Sequence, residues 1–282
     1  MGMWLAGLST LTLWTVVVLP AAALSLGGLY LFRRAISCTA VKPYNDVIGF
    51  AHGIIGVVYA VLLGFTIIVS WEQFETAERN VGEEASAIAD LFNDNKLLVA
   101  TFQEENGTLL KDLPPSGQAL NTMQWALSDY VSAVVDNEWD AMARGRDDGR
   151  TRNSYAFIWT AYGTYSHSAT LTPLQATFFG ESLRKLNELG AHRRSRLLDA
   201  RKAMPPRFWT LLVGGGMLIV AFSFLYGVEN RFIHALIVVT LAGLIGVCLA
   251  LIVSLEHPFQ GATGISNQPF VDLQATDPWS PR

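Results

Sequence analysis

Long apolar and polar blocks alternate along the chain and separate membrane-type segments from water-soluble ones. Four runs contain no Asp, Glu, Lys or Arg, and they cover roughly residues 11–32, 47–70, 208–228 and 232–255. About 20 apolar residues in a helix cross a bilayer core of about 30 Å, so each run is predicted to span a membrane. The region between the second and third runs, residues 71–206, is too polar to lie in lipid.

The polar region is predicted to be helical. Turn-type sequences at residues 114–117, 145–149 and 170–173 divide it, and no alternation of period two indicates a strand. The predicted helices cover residues 71–105, 118–142, 152–166 and 173–204. The sequence therefore predicts an all-α membrane protein with transmembrane hairpins at 1–70 and 207–256, an inserted helical region at 71–206 and a C-terminal tail at 257–282.

The second apolar run continues into charged sequence without a glycine or proline. Ser70 is followed directly by Trp71-Glu72-Gln73-Phe74-Glu75-Thr76-Ala77-Glu78-Arg79. Neither of the usual helix breakers interrupts this junction. One long helix is therefore predicted to begin in a membrane and end in water.

Small residues form a stripe along the second span. They recur at spacings of three and four residues, as expected for one face of a helix: Gly49, Gly53, Gly56, Ala60 and Gly64. In lipid such a stripe allows two helix backbones to approach closely, so it is predicted to be a helix-packing seam. Its partner is another helix of the same chain or another subunit, and ordinary glycine enrichment in membrane helices is the alternative explanation.

A second sector lies opposite the small stripe on the same helix. It comprises Val58, Phe65, Val69, Glu72 and Thr76, and it continues toward Glu83 and Asp90. Around the axis of an oligomer, this sector would line a pore with a hydrophobic constriction followed by a ring of carboxylates. Such constrictions gate by dewetting, and acidic rings favour cations. In the alternative interpretation the apolar residues face lipid and the acidic residues form a solvated helix face.

Basic residues precede the third span. They are Arg193, Arg194, Arg196 and Arg201. Because Lys and Arg accumulate on the cytoplasmic side of membranes, they favour a cytoplasmic helical region, although Arg33, Arg34 and Lys42 in the first short loop argue the other way. Contact with anionic lipid, or with the acidic part of the long helix at 72–90, is the alternative role for these arginines.

Composition changes this picture only by exclusion. Hydrophobic residues make up 51% of the chain, charged residues 16%, and the net charge of −4 gives no reason to expect nucleic acid as a partner. Cys38 and Cys248 have no ligand spacing and the five histidines are scattered, so neither a metal nor a cofactor is predicted. Catalytic motifs are missing. An enzyme would need distant residues such as Glu138, His192 and Arg196 to converge.

One intramembrane residue stands apart from this exclusion. His52 is an ionisable side chain within the second span, and such residues are candidates for function by default. A local hydrogen bond near the membrane edge is the alternative.

Several stretches together resemble a bestrophin-like family of bacterial membrane proteins. In chain order they are Gly64-Phe65 with Trp71-Glu72-Gln73-Phe74, Val81-Gly82-Glu83-Glu84-Ala85, Glu138-Trp139-Asp140-Ala141-Met142, Arg193-Arg194-Ser195-Arg196-Leu197, Pro205-Pro206-Arg207-Phe208-Trp209, Leu255-Glu256-His257-Pro258-Phe259-Gln260-Gly261 and Pro269-Phe270. The resemblance implies similarity to bestrophins, which are oligomeric ion channels. Their subunits have four membrane helices, a cytosolic helical insert and an axial pore lined by the second helix.

The resemblance and the helix pattern together give the expected function. It is a homo-oligomeric, bestrophin-like ion channel, or a channel-related protein, that spans a bacterial inner membrane several times in contact with lipid. An acidic ring would favour cations, and the permeant ion itself is not specified by the sequence. The acidic clusters of the bestrophin Ca²⁺ clasp have no evident counterpart, so calcium gating is not carried over. The alternative function is a non-conducting membrane scaffold or sensor whose helical region binds a cytoplasmic partner.

Overall fold

The computed structural model describes residues 10–106, 115–144, 146, 149–168, 171–261 and 264–276. Their helices are α1 (Thr10–Ala35), α2 (Cys38–Val41), α3 (Asn45–Asn106), α4 (Pro115–Ala133), α5 (Trp139–Ala143), α6 (Gly149–Ser168), α7 (Pro173–Asp199), α8 (Pro206–Ser223), α9 (Arg231–Glu256) and α10 (Gln268–Thr276). A short 3₁₀ turn, Lys42–Tyr44, precedes α3, and a π-helical turn, Val134–Glu138, joins α4 to α5. No strand occurs among these residues, which confirms the all-helical prediction.

The described residues form two compact units. The apolar unit comprises residues 10–75 and 202–264, and the polar unit comprises residues 76–201 and 265–276 within the described ranges. Four helices are long and apolar enough to cross a membrane: α1, α3, α8 and α9. Each of the four predicted apolar runs therefore falls on a helix of sufficient length.

The long helix predicted from the sequence is confirmed. α3 continues without interruption from Asn45 to Asn106, a run of 62 residues that extends about 90 Å at the usual α-helical rise. One stripe of this helix is buried along its length. Tyr59 and Leu63 lie on it in the apolar unit, and Ile88 and Leu91 lie on it in the polar unit.

Helix α1 packs along α9 in the apolar unit. The approach is close because Gly246 of α9 faces α1, where a Cβ on this glycine would lie 3.5 Å from the Cα of Val18 and 3.8 Å from the Cβ of Ala21. Nearby, Leu13 packs against Ala250. Small residues thus allow this pair of helices to approach closely, as is common in membrane bundles.

Tyr59 of α3 makes the closest contact of the long helix with α8. Its hydroxyl donates a hydrogen bond of 2.8 Å to the carbonyl of Leu212, and its ring covers Gly215 and Gly216. A Cβ on Gly216 would lie 2.8 Å from the tyrosine oxygen and 3.0 Å from Ile245. The glycines at this contact therefore belong to the third apolar run and not to the small stripe of α3.

Helix α8 is shorter than the third predicted span. The sequence predicts residues 208–228, but α8 ends at Ser223. The amides of Phe224 and Leu225 donate to carbonyls three residues back, and the amide of Gly227 donates to the Asn45 side chain at 2.8 Å. This connection is apolar because it packs against other helices of the apolar unit, with Phe224 against Phe32 of α1 and Tyr226 against His52 of α3. Hydrophobicity alone does not distinguish such a loop from helix.

The polar unit is built on α3, with α4 packed against α6. Helix α7 starts at Pro173, where the sequence predicts. Thr172 precedes this residue and forms a reciprocal capping box with Gln175 in the first turn. The chain returns to the polar unit after the last apolar helix. Residues 265–276 belong to the polar unit, and Phe270 of α10 is fully buried there.

Substitution of two neighbouring glycines tests the α3–α8 contact. We expect Gly216→Ala to lower the midpoint of thermal unfolding in detergent, because overpacking costs roughly 1–3 kcal/mol. Gly214→Ala is the control, since its Cβ meets nothing within 4 Å, and alanine is the better helix former by up to about 1 kcal/mol. Equal midpoints for the two variants would contradict this packing.

Candidate functional site

The predicted pore residues lie on an exposed face of α3. Val58, Phe65 and Val69 are 67%, 66% and 47% exposed, so packing within the apolar unit does not cover them. Glu72 is also exposed, and Thr76 is half-buried. These side chains are therefore available to face lipid, solvent or another subunit.

The small stripe of α3 is also largely uncovered within the chain. A Cβ on Gly53, Gly56 or Gly64 would meet nothing within 4 Å, and Ala60 is exposed. Only Gly49 has a neighbour, the Tyr226 hydroxyl at 3.7 Å from its Cβ position. In the part of the chain that the structure describes, no helix fills this seam at Gly53, Gly56 or Gly64.

The packed stripe of α3 separates these two sectors. Tyr59, Thr66 and Ser70 are buried and recur at spacings of seven and four residues, which places them on one side of the helix. At about 100° per residue, the small stripe lies to one side of them and the Val58–Glu72 sector to the other. Both sectors therefore border the exposed face of the helix.

Two of the four predicted basic residues are buried inside the polar unit. Arg196 is fully buried and Arg193 nearly so, whereas Arg194 and Arg201 are exposed. The Nε of Arg196 donates to Oε2 of Glu84 at 2.6 Å, and its NH2 donates to Oε1 of Glu84 at 3.0 Å and to Oε2 of Glu138 at 2.7 Å. In this structure Arg196 thus contacts the acidic long helix, and its burial separates it from lipid.

Glu138 joins the second arginine to the first. Its Oε1 accepts a hydrogen bond of 2.7 Å from NH2 of Arg193, so each oxygen of this carboxylate is bound to a different guanidinium. We call Glu84, Glu138, Arg193 and Arg196 the buried ion network. Its two positive and two negative charges balance, which is the condition under which charges are tolerated in a protein interior.

Aromatic residues complete the surroundings of Arg196. The rings of Trp139 and Phe270 each lie 5.7 Å from its guanidinium carbon, and Tyr130 donates a hydrogen bond to Glu84. Burial by itself would lower the pKa of Arg196, but the two carboxylates raise it well above its ordinary value. Burial also raises the pKa of Tyr130, which keeps its hydroxyl protonated as a donor to Glu84.

The π-helical turn lies where the network needs two adjacent side chains. Glu138 is the last residue of this turn and Trp139 is the first residue of α5, yet both contact the guanidinium of Arg196. Consecutive residues of a regular α-helix diverge by about 100°. A local π-helical turn is a common feature of specialised sites in helices, and here it coincides with the convergence of both side chains on one arginine.

Arg196 is saturated with internal partners, whereas the buried Nε of Arg193 has no hydrogen-bond partner among the described residues. The NH1 group of Arg196 donates to the sulfur of Met142 at 3.1 Å, so all three nitrogens of this guanidinium are engaged. Of the residues that an enzyme would need to converge, Glu138 and Arg196 come together but His192 does not. The Nδ1 of His192 lies 3.2 Å from Oε2 of Glu83 instead. The arrangement is that of a structural tie between helices.

A carboxylate also joins two segments in the apolar unit, and we call this contact the Glu256 clasp. Glu256, the last residue of α9, accepts hydrogen bonds from the backbone of Met204 and from the indole of Trp209, the latter at 3.1 Å. The Nδ1 of His52 lies 3.2 Å from the hydroxyl of Tyr226, in the connection between α8 and α9. Several of the stretches that carry the family resemblance therefore converge within a unit: some form the buried ion network in the polar unit, and others form this clasp in the apolar unit.

Sequence reasoning named the acidic part of the long helix, residues 72–90, as an alternative partner of the arginines, but it did not identify Glu84 as the residue that binds Arg196. Glu84 lies on the buried stripe of α3, three residues after Val81 and four before Ile88. A carboxylate in phase with apolar core residues requires a buried cation, so this spacing could have indicated an ion pair. The identity of its partner, 112 residues away, could not be read from the pattern.

Removal of one charge tests the network. We expect Glu138→Gln to destabilise the protein by about 3–5 kcal/mol, because two buried guanidinium groups lose their shared counter-charge. Asp140→Asn is the matched control, since Asp140 is two residues away and forms an exposed pair with Arg144. Chemical unfolding in detergent, followed by tryptophan fluorescence, measures both variants, and a Glu138→Gln protein as stable as Asp140→Asn would contradict the network.

The fold is similar to that of several solved membrane proteins. A crystal structure of a bacterial bestrophin homologue from Klebsiella pneumoniae, a single-substitution variant, has a TM-score of 0.65 at 13% identity and covers 91% of this chain and 95% of that chain. A variant of a crystallised membrane protein has a TM-score of 0.65 at 14% identity and covers 94% and 98%. At these identities the similarity shows the fold alone.

Family models give the assignment that the structures do not. No curated protein matches the chain. The model described as Bestrophin-like domain matches residues 19–270, which is most of the sequence and includes both the buried ion network and the Glu256 clasp. The chain belongs to the bestrophin-like family.

Proposed function

We propose that this protein is a homo-oligomeric bestrophin-like ion channel, or a channel-related integral membrane protein, with α3 of each subunit lining the pore. The observation that carries the proposal is the exposed apolar face of α3, on which Val58, Phe65 and Val69 are 67%, 66% and 47% exposed. Family membership supports the proposal, because bestrophins are oligomeric channels whose second membrane helix surrounds the axis.

The proposed topology follows from the order of apolar helices and basic residues. Helices α1 and α3 form one transmembrane hairpin and α8 and α9 form the other, with the polar unit inserted between them in the cytoplasm. Arg201, Lys202 and Arg207 stand next to the start of α8, in accord with the accumulation of positive charge on the cytoplasmic side. The membrane is the inner membrane of a bacterium.

In the proposed pore, apolar and acidic residues act in series. Phe65 and Val69 of each subunit form a hydrophobic constriction, which closes to ions when it dewets. Glu72 stands less than one helical turn further along α3 and forms a carboxylate ring. A ring of negative charge raises the local concentration of cations and disfavours anions, so the pore is cation-favouring.

The small stripe serves subunit contact in this proposal. Gly53, Gly56 and Gly64 leave open space along α3, and a neighbouring helix can approach the backbone there more closely than at any large side chain. Membrane helices gain little from hydrophobic burial against one another, so such close van der Waals packing is what holds subunits together.

A non-conducting scaffold or sensor is the second candidate. The polar unit exposes the aromatic side chains of Trp125, Phe157 and Trp159, and exposed aromatic residues are enriched where proteins bind partners. In this alternative the polar unit binds a cytoplasmic protein and the apolar unit only anchors the assembly.

Charge removal on the pore face tests conduction. In planar bilayers with a salt gradient, we expect wild-type protein to conduct and Glu72→Gln to move the reversal potential toward that of a non-selective pore, because the carboxylate ring is lost. Glu78→Gln is the matched control. It removes the same charge, but Glu78 follows Gly64 and Trp71 at seven-residue spacing and so lies on the side of the small stripe.

Two outcomes would reject the channel. Wild-type protein that stays silent at all voltages and in several salts would favour the scaffold. Equal shifts of the reversal potential in Glu72→Gln and Glu78→Gln would show that ion selectivity does not depend on the proposed pore face of α3.

A glycine substitution tests the subunit seam. We expect Gly56→Leu to reduce the number of subunits that remain associated in mild detergent, because the side chain fills the space that a neighbouring helix would occupy. Gly27→Leu in α1 is the control, since it too meets nothing within 4 Å in the subunit. Native mass spectrometry counts the subunits, and an unchanged oligomer in Gly56→Leu would rule out the seam.

A further inference from the structure

The connection between α8 and α9, residues 224–230, is held by polar contacts from one corner of the apolar unit. The amide of Gly227 is bound by the Asn45 side chain, the hydroxyl of Tyr226 lies beside His52, and Glu229 pairs with Lys42. Arg33, near the end of α1, donates to the carbonyl of Val228. We call this segment the clamped loop.

His234 lies at the centre of this corner. It is fully buried in the first turns of α9. Its Nε2 is 2.9 Å from the carbonyl oxygen of Ser223, and its Nδ1 is 2.7 Å from NH2 of Arg33. Both ring nitrogens therefore have partners, one at the end of α8 and one on α1.

These two partners fix the protonation state of the ring. A carbonyl oxygen can only accept, so Nε2 carries the hydrogen, while a guanidinium can only donate, so Nδ1 carries none. The contacts are compatible with neutral imidazole alone. A second hydrogen on Nδ1 would point at the N–H of Arg33.

We infer that His234 is an acid-sensitive latch, and that its protonation releases the clamped loop from α1. Protonation would place two positive charges 2.7 Å apart in a buried site, where like charges repel strongly. Arg33 is the group able to move away, because it is only partly buried. Its movement also breaks the hydrogen bond to Val228, so one proton removes two contacts.

The other polar contacts of this corner do not depend on the proton of His234. From α8, the group facing His234 is the Ser223 carbonyl, and from α1 it is Arg33. Lys42 and Glu229 form an exposed pair, and the hydrogen bond from Lys42 holds the pKa of Glu229 below its ordinary range, so this pair persists in mild acid. His52 keeps its contact when protonated, since the Tyr226 hydroxyl can accept as well as donate.

Hydrogen exchange of the full-length protein in lipid nanodiscs tests the latch. Between pH 7.5 and pH 5.0, after correction for intrinsic exchange, we expect the amides of residues 225–229 to exchange about tenfold faster or more, since local opening controls their exchange. We expect His234→Gln to remain protected at both pH values. The side-chain amide of the introduced glutamine can donate to the Ser223 carbonyl and accept from Arg33, but it cannot be protonated.

Controls separate this site from general acid effects. His167→Gln removes an exposed histidine whose contacts lie within its own helix, and it should respond to acid as wild type does. An unchanged loop in wild-type protein at pH 5.0, or an acid response in His234→Gln equal to that of wild type, would overturn the inference. If His234→Gln does not fold, Arg33→Gln takes its place. Its loop should exchange rapidly already at pH 7.5, and a wild-type response in that variant would overturn the latch.

Discussion

Burial of Arg196 is the constraint on which the polar unit depends. Taking a guanidinium out of water costs several kcal/mol unless carboxylates and hydrogen bonds replace the solvent, and here Glu84 and Glu138 supply both. The replacement has to come from distant parts of the chain. α3 provides one carboxylate, the π-helical turn provides the other, and α5 and α10 provide the aromatic rings. Each of these segments is therefore tied to the same point, which explains why α10 joins the polar unit although it follows the last apolar helix.

The long helix carries a comparable constraint in the apolar unit. Tyr59 fills the space above Gly215 and Gly216, and its hydroxyl binds the Leu212 carbonyl, so the fit between α3 and α8 depends on one large side chain and two absent ones. The same stripe of α3 bears Glu84 further along. In the apolar unit, the side of α3 opposite Tyr59 is left exposed by the described residues of its own subunit.

Much of the fold could be predicted from the sequence, because apolar run length, glycine and proline placement and capping residues act locally. The uninterrupted helix Asn45–Asn106 and the start of α7 at Pro173 followed from such signals. The end of α8 could not be predicted in this way, because the apolar sequence continues through residues 224–228, which form a packed loop and not a helix. Arg196 was grouped with its basic neighbours because charge runs carry no information on which member points inward. Its role depends on a carboxylate 112 residues away, and only the folded chain brings the two together.

The position of the packed stripe also constrains any ring of subunits. If α3 lines an axis, α8 and α9 stand behind it, because Tyr59 and Leu63 pack against them. The residues directly opposite that stripe are Ile54, Val61 and Ile68, all exposed and related by spacings of seven. In such a ring they would line the pore beside Phe65 and Val69, which form the proposed constriction. The small stripe lies at one flank of this face, where the helix backbone of a neighbouring subunit can approach. Phe65 lies at the other flank, where its aromatic side chain narrows the pore toward the neighbouring subunit. Close approach at the first flank reduces the radius of the ring, and a smaller radius is what allows apolar side chains to close a pore by dewetting.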